Sequence, residues 1–244
     1  MKIIILIISS QSTHYSQMKE MWKKYMNKHE NIKCFFIEFN IGIEQQILLD
    51  EINNTIYIKG NETYIPGILD KTIKSIQHVV SSNMEFDYIL RTNLSTFIVL
   101  DKLYNYLLKT KLDYAGPKAK LPIKTRFKKY LNLISPSNRY YASGTCIIMS
   151  SECIGYLLKQ EINYDLIDDV SIGFTLSVKY KLHNIIRTDA VIDNGINSDY
   201  VNGINYNNES DLQNKDKFIF RCKHINSDLT LKMLNNFISL YFQK

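Results

Sequence analysis

The chain has 244 residues with a net charge of +6, 45% of them hydrophobic and 22% charged, proportions that exclude a disordered or fibrous chain. Four prolines and nine glycines are too few for a linker-rich or collagenous protein, and no apolar run approaches the ~18 residues of a membrane span. A length near this suits one α/β core, so a single domain over residues 1–244 is expected.

Residues Ile3–Ile8 follow Met1-Lys2 and have the charge and apolar run of a short signal peptide. Ser9-Ser10-Gln11 is a poor cleavage site and the run is rich in β-branched Ile, so a strand buried on both faces is the expectation. Over 13–28, Tyr15, Met18, Trp22, Tyr25 and Met26 recur at gaps of three and four, one helical stripe with Ser12 or Thr13 as N-cap. A strand at 33–39, a polar stretch at 44–54 and a short strand at 55–58 follow. Helical period over 64–81 uses Ile68, Ile73, Ile76 and Val80. A strand at 88–91 runs into Thr92-Asn93-Leu94-Ser95, then come a helix at 100–108 and a strand at 113–115. A strand at 142–150 leads to helices at 151–159 and 168–180, a strand at 183–187, an Asn- and Gly-rich loop at 194–214, a strand at 217–222 and a terminal helix at 227–242.

Strands alternating with helices at this spacing predict a mostly parallel sheet flanked by helices, with ligands at the carboxyl ends of its strands. Those ends are Ser9–His14, Asn40 and Arg91–Ser95. The four cysteines (Cys34, Cys146, Cys153, Cys222) have no metal or redox spacing and read as buried thiols of a reducing compartment. Between Asp113 and Glu152 there is no acidic residue but seven basic ones, Lys118, Lys120, Lys124, Arg126, Lys128, Lys129 and Arg139, more than the whole net charge of +6. So localised a patch suits a local anionic ligand or a solvated loop. With only Phe127 and Tyr130 as aromatics before Tyr140, it is a poor nucleic-acid stacking platform, and no nucleic-acid partner is expected.

Three segments carry a resemblance. The opening "IIILIISSQSTHYSQMKEMWKKYMN" with "IKCFFIEF", the central "NETYIPGILDKTIKSIQHVVSSNMEFDYILRTNLSTFIVLDKLYNYL", and "YYASGTCIIMSSECIGYLL" with "IDDVSIGFTLS" resemble, in order and spacing, the β1,3-galactosyltransferase and Fringe family of glycosyltransferases. Viral and microbial members that read Arg-Thr-Asn-Leu-Ser are the most similar. The resemblance implies a GT-A (Rossmann-like) α/β fold, a nucleotide-sugar donor, in that family UDP-linked, and inversion at the anomeric carbon. It implies a donor-binding half over 1–115 and an acceptor-side half over 116–244. The acceptor would be a glycan, glycoprotein or glycolipid. Many relatives carry an N-terminal membrane anchor that is not seen here, so a cytoplasmic enzyme, in host cytoplasm if viral, is the expectation.

By the same resemblance the donor contacts are Ser9, Ser10, His14, Lys19, Lys71, Arg91, Asn93 and Ser95, and the acceptor contacts Ser143 and Gly144. Lys124, Arg126 and His224 would meet the diphosphate, and Ser95 and His224 a Mn or Mg ion. The family holds that metal with Asp-x-Asp, where this chain has Asn93-Leu94-Ser95, weak ligands for a hard cation. Three alternatives follow: a single remaining acid and ligand phosphates hold the metal, the basic loop replaces it, or catalysis is lost and binding kept, which gives an inactive nucleotide-sugar- or carbohydrate-binding module. Arg91 could pair with a nearby carboxylate or bind phosphate bidentately. Asp168-Asp169 at a helix start could cap the helix. The resemblance instead makes Asp169 the base that takes the acceptor proton, with Asp168 orienting it or capping.

Overall fold

The six apolar residues Ile3–Ile8 form β1, central in an eight-stranded sheet of the computed structural model, which describes residues 1–121, 140–189, 217–223 and 227–242. The other strands of this sheet are β2 (Ile32–Phe39), β3 (Ile47–Asp50), β4 (Thr55–Ile58), β5 (Tyr88–Asn93), β7 (Tyr114–Gly116), β10 (Cys146–Ser150) and β11 (His183–Asn184). Their order is β11-β7-β10-β5-β1-β2-β4-β3. β10 runs antiparallel to both of its neighbours and β3 antiparallel to β4, while the other pairings are parallel.

Successive residues of β1 point to opposite faces. Ile3, Ile5 and Ile7 join one buried cluster with Trp22 of α1 (Thr13–Lys23), Leu103 of α3 (Leu100–Lys109) and Phe237 of the C-terminal helix Ser227–Phe242. Ile4 and Leu6 join the other with Ile73 and Ile76 of α2 (Gly67–Ser81) and Cys153 of α4 (Ser151–Leu157). Ile172 of α5 (Asp168–Ser177) belongs to that second cluster. Each such Ile stabilises the fold by roughly 1.5–3 kcal/mol. The C-terminal helix, α6, packs against α1. The fold class is the expected α/β one, with helices on both faces of a mixed sheet.

Several boundaries differ from the sequence reading. The polar stretch 44–54 contains β3, whose half-buried Ile47 and Leu49 pack at the edge of a core cluster, an apolar run of three residues too short to stand out. α2 begins at Gly67 and buries Leu69, Ile73, Ile76 and Val79, so Val80 is 41% exposed: Ile73 and Ile76 are core residues as expected, while Leu69 and Val79 take the places assigned to Ile68 and Val80. The strand expected at 142–150 is broken by a turn at Ser143–Thr145 into β9 (Tyr140–Ala142) and β10. β9 pairs with β8 (Lys118–Lys120) in a two-stranded ribbon.

The residues after β5 form β6 (Thr96–Ile98), in a second sheet with β13 (Ile219–Arg221) and β12 (Arg187–Asp189). The halves 1–115 and 116–244 therefore interleave: β10 lies between β5 and β7, and β13 pairs with β6. All four cysteines are buried and unbridged, and burial pushes each thiol up. Among the described residues no helix is long and apolar enough to cross a membrane.

Candidate active site

β1 and β5 lie side by side with Ile8 opposite Asn93, and their carboxyl ends open on a cleft of about 620 Å³, within the ordinary range for small-ligand sites. Five separate segments reach it. Ser9 and Ser10 come from the turn after β1, Lys71 from α2, and Arg91, Asn93 and Ser95 from β5 and its turn. Ser143 and Gly144 come from the β9–β10 turn, and Asp168 and Asp169 from the start of α5.

On the floor, Asp169 accepts the backbone N–H of Gly144 at 2.8 Å and that of Val170 at 2.9 Å. Its carboxyl is pushed up by burial first and by the neighbouring Asp168 second, with the Gly144 hydrogen bond and Arg91 opposing. Asp168 does not cap α5 but forms an ion pair with Arg91, which is 4% exposed. Arg91 also donates to the Gly144 carbonyl, so one guanidinium ties β5, the β9–β10 turn and α5 together. Two glycines make this approach feasible. A Cβ on Gly144 would lie 2.7 Å from Arg91 Nη1, and one on Gly173 would lie 2.4 Å from the Tyr141 Cβ, where α5 rests on β9.

On the wall, Lys71 is 1% exposed and donates to the Ser9 carbonyl at 2.6 Å and to both Glu62 oxygens at 2.8 and 2.9 Å. Burial lowers its pKa, with Glu62 opposing. Ser9 Oγ donates to Glu38 Oε1 at 2.6 Å, and so does Lys19 Nζ at the same distance. Lys19 thus serves a buried carboxylate at the end of β2 and does not line the cleft. Lys71 holds the turn after β1 in shape and has no donor hydrogen left for a ligand, having three and using three.

Asn93-Leu94-Ser95 is the turn between β5 and β6. The Asn93 amide oxygen accepts from Ser95 Oγ at 3.1 Å and from Thr96 Oγ1 at 2.9 Å, and its amide nitrogen donates to the Gly144 carbonyl at 3.1 Å. Buried Trp22 donates Nε1 to the Leu94 carbonyl at 3.0 Å, and Cys222 N donates to the Ser95 carbonyl at 2.8 Å. These are the local bonds that make Asn and Ser good turn residues. They leave two neutral, mutually satisfied side chains where a divalent cation would need carboxylate oxygens. The nearest acids are committed to Arg91 and to backbone N–H groups. No group of three His, Cys, Asp or Glu that could hold a metal occurs among the described residues. The donor set described here does not fit Mn or Mg.

Lys124, Arg126 and His224 lie outside the described residues, as does the side chain of His14 in α1. The structure adds cleft residues that the sequence did not single out as contacts: Glu62, Tyr64, Thr145, Arg221 and Lys223. Glu62 could have been sought as the counter-ion that a buried Lys71 requires. Tyr64, 69% exposed on the rim, carries no such signal.

No family model matches the sequence, and no curated protein matches it. Among solved structures, the chain is similar to a glycosyltransferase involved in the glycosylation of the major capsid of PBCV-1. The two share a fold. The TM-score is 0.51 over 96% of this chain and 99% of that one, at 9% sequence identity.

Proposed function

We propose that this protein is an inverting glycosyltransferase. It moves a sugar from a nucleoside-diphosphate sugar, of which UDP-linked donors are the first to test, to a hydroxyl of a glycan, glycoprotein or glycolipid. The observation that carries the proposal is Asp169, a half-buried carboxyl with a raised proton affinity that accepts two backbone N–H groups and lines a cleft at the carboxyl ends of β1 and β5. The shared fold with a glycosyltransferase supports it.

In this reading the acceptor hydroxyl donates to Asp169. As its oxygen attacks the anomeric carbon, Asp169 takes the proton, and the bond from that carbon to the diphosphate breaks with its electron pair leaving on phosphate. Raised basicity brings a carboxylate closer to the pKa that serves general-base transfer near neutral pH. The N–H groups of Gly144 and Val170 fix the direction of the carboxylate, and Arg91 pairs with Asp168 beside it. The neutral Asn93-Leu94-Ser95 turn favours the second reading, a binding module without turnover. That reading leaves the half-buried Asp169 without a task.

A melting-temperature panel of UDP-, GDP- and dTDP-sugars tests the donor class, because a ligand of the folded state raises stability by mass action. The expected result is a rise with a subset sharing one nucleotide, followed by release of that nucleoside diphosphate when acceptor glycans are added. No shift with any sugar nucleotide would sink the proposal, and a shift without turnover would favour the binding module.

A further inference from the structure

A second cavity, of about 360 Å³, adjoins the cleft at the β9–β10 turn, where Ser143 lines both. The next residue, Gly144, gives its N–H to Asp169. Neighbouring Cα atoms are about 3.8 Å apart, so the cavity begins one residue from the backbone that holds Asp169. Buried Pro117 and Ile185 and exposed Ile186 give it apolar surface, while Lys118, Ser143 and Asn184 give it polar groups. That mixture suits a sugar, which presents C–H faces and hydroxyl edges. Among the described residues its lining has no aromatic ring, so it offers a nucleobase no stacking platform.

Lys118 has a defined place. Its N–H donates to Asn184 Oδ1 at 2.9 Å, it is in register with Ala142 across the β8–β9 pairing, and its ammonium lies 3.8 Å from the centre of the Tyr140 ring. A cation over a ring keeps its N–H donors for a further partner. Lys120, two residues on and so on the same face of β8, lies 5.9 Å from that ring. Among the described residues no carboxylate pairs with either lysine, and the chain has no acid between Asp113 and Glu152. Arg187 is already engaged: its Nη1 donates to Thr145 Oγ1 at 3.2 Å, which is 3.1 Å from Ser143 Oγ. It braces the turn and adds positive charge to the cavity.

We infer that this cavity is an acceptor subsite for an acidic sugar, with Lys118 meeting a carboxylate or sulfate group close to the reacting hydroxyl. The inference rests on the proposed transfer to a glycan hydroxyl and narrows that acceptor to an anionic glycan. A saccharide whose hydroxyl reaches Asp169 extends past Ser143 into the cavity, where the ammonium binds an anionic oxygen through a charge-assisted hydrogen bond. A neutral sugar gains no such bond, so the lysine discriminates between acceptors and takes no part in the proton transfer.

Calorimetric titration of the full chain, without donor, compares methyl glucuronide with methyl glucoside, and methyl galactoside sulfated on its primary hydroxyl with methyl galactoside. Each acidic glycoside should bind about fivefold tighter than its neutral twin, the scale of one exposed charge-assisted contact, and the stronger pair tells carboxylate from sulfate. Lys118→Met should abolish the advantage, Lys118→Arg keep it and Lys118→Glu reverse it. Lys118 is exposed, so these variants stay folded, which melting temperature checks. Equal affinity within both pairs, an advantage that survives Lys118→Met, no binding of any glycoside, or acetate and inorganic sulfate binding as well as the acidic glycosides overturns the inference while leaving the donor reading intact. A preference that follows Lys118 in a protein whose melting temperature moves with no sugar nucleotide upholds the acidic-sugar site and sinks the transfer reaction.

Discussion

In and behind the wall of the cleft two lysines face two glutamates; on its floor one arginine faces two aspartates. Lys19 and Lys71 are matched to Glu38 and Glu62, and Ser9 joins the two pairs, its hydroxyl donating to Glu38 and its carbonyl accepting from Lys71. Arg91 is matched to Asp168, which leaves Asp169 with backbone N–H groups and a raised pKa. A balanced set of charges serves as scaffold, because each member is held by an opposite one. An unbalanced set leaves one group whose protonation can change, and that is where proton transfer can be performed. The contrast also explains why Lys19 and Lys71, although close to the strand ends, act on the turn after β1 rather than on a ligand.

The sharpest way to break this comparison is to remove the odd carboxylate. Asp169→Asn is expected to lower kcat by ~100-fold or more, the usual scale of general-base assistance, with nucleotide affinity unchanged. Its stability should be close to that of the original. A folded pKa raised above the unfolded one gives a contribution present below the unfolded pKa and lost as pH rises through the folded pKa. At neutral pH the ionised group is therefore a cost, and its removal offsets the hydrogen bond that an amide makes less well. In the unsubstituted protein the acid limb of kcat/KM should lie above the ordinary aspartate range, since the base must be deprotonated. An acid limb at or below that range, or near-normal turnover by Asp169→Asn, would return Asp169 to a structural role.

The next effect is on stability. Arg91→Met strands Asp168, which is 8% exposed, beside Asp169, and breaking such a pair costs about 3–5 kcal/mol. Urea unfolding should register that loss, and Arg91→Met combined with Asp168→Leu should recover part of it. A single variant as stable as the original would show that the floor is not held by this ion pair.

The wall should respond least. Lys71→Met frees Glu62, whose side chain is 36% exposed and can rehydrate, and removes the bond to the Ser9 carbonyl. A loss of about 1–2 kcal/mol is expected, with kcat changed less than by Asp169→Asn. Equal losses of turnover from both substitutions would erase the distinction between scaffold and base.

Much of this was legible in the chain. The Ile3–Ile8 run, the stripe at Met18 and Trp22 of α1 with Tyr25 and Met26 in the turn after the helix stops at Lys23, short of the expected residue 28, and the strand entering Asn93 follow from local periodicity, which tertiary packing here reinforces. So did the strand ends as the place to look, because that follows from chain direction in a parallel sheet. β3 and β6 did not, being four and three residues long and stabilised by pairing with partners that local sequence cannot name.

The sequence by itself determined the α/β alternation, the concentration of candidate residues at strand ends, and the replacement of carboxylates by Asn93 and Ser95. Only the tertiary structure decided which charge meets which. Whether Arg91 pairs with Asp168 or stays open to a ligand depends on α5 settling on β9 at Gly173. Whether Lys19 enters the cleft depends on Glu38 across the β1–β2 pairing. That Arg221 and Lys223 reach the turn more than a hundred residues earlier depends on β13 pairing with β6. Hydrogen bonds act over a few ångströms and screened charges over about ten, so such partnerships follow distance in space, which separation along the chain does not encode.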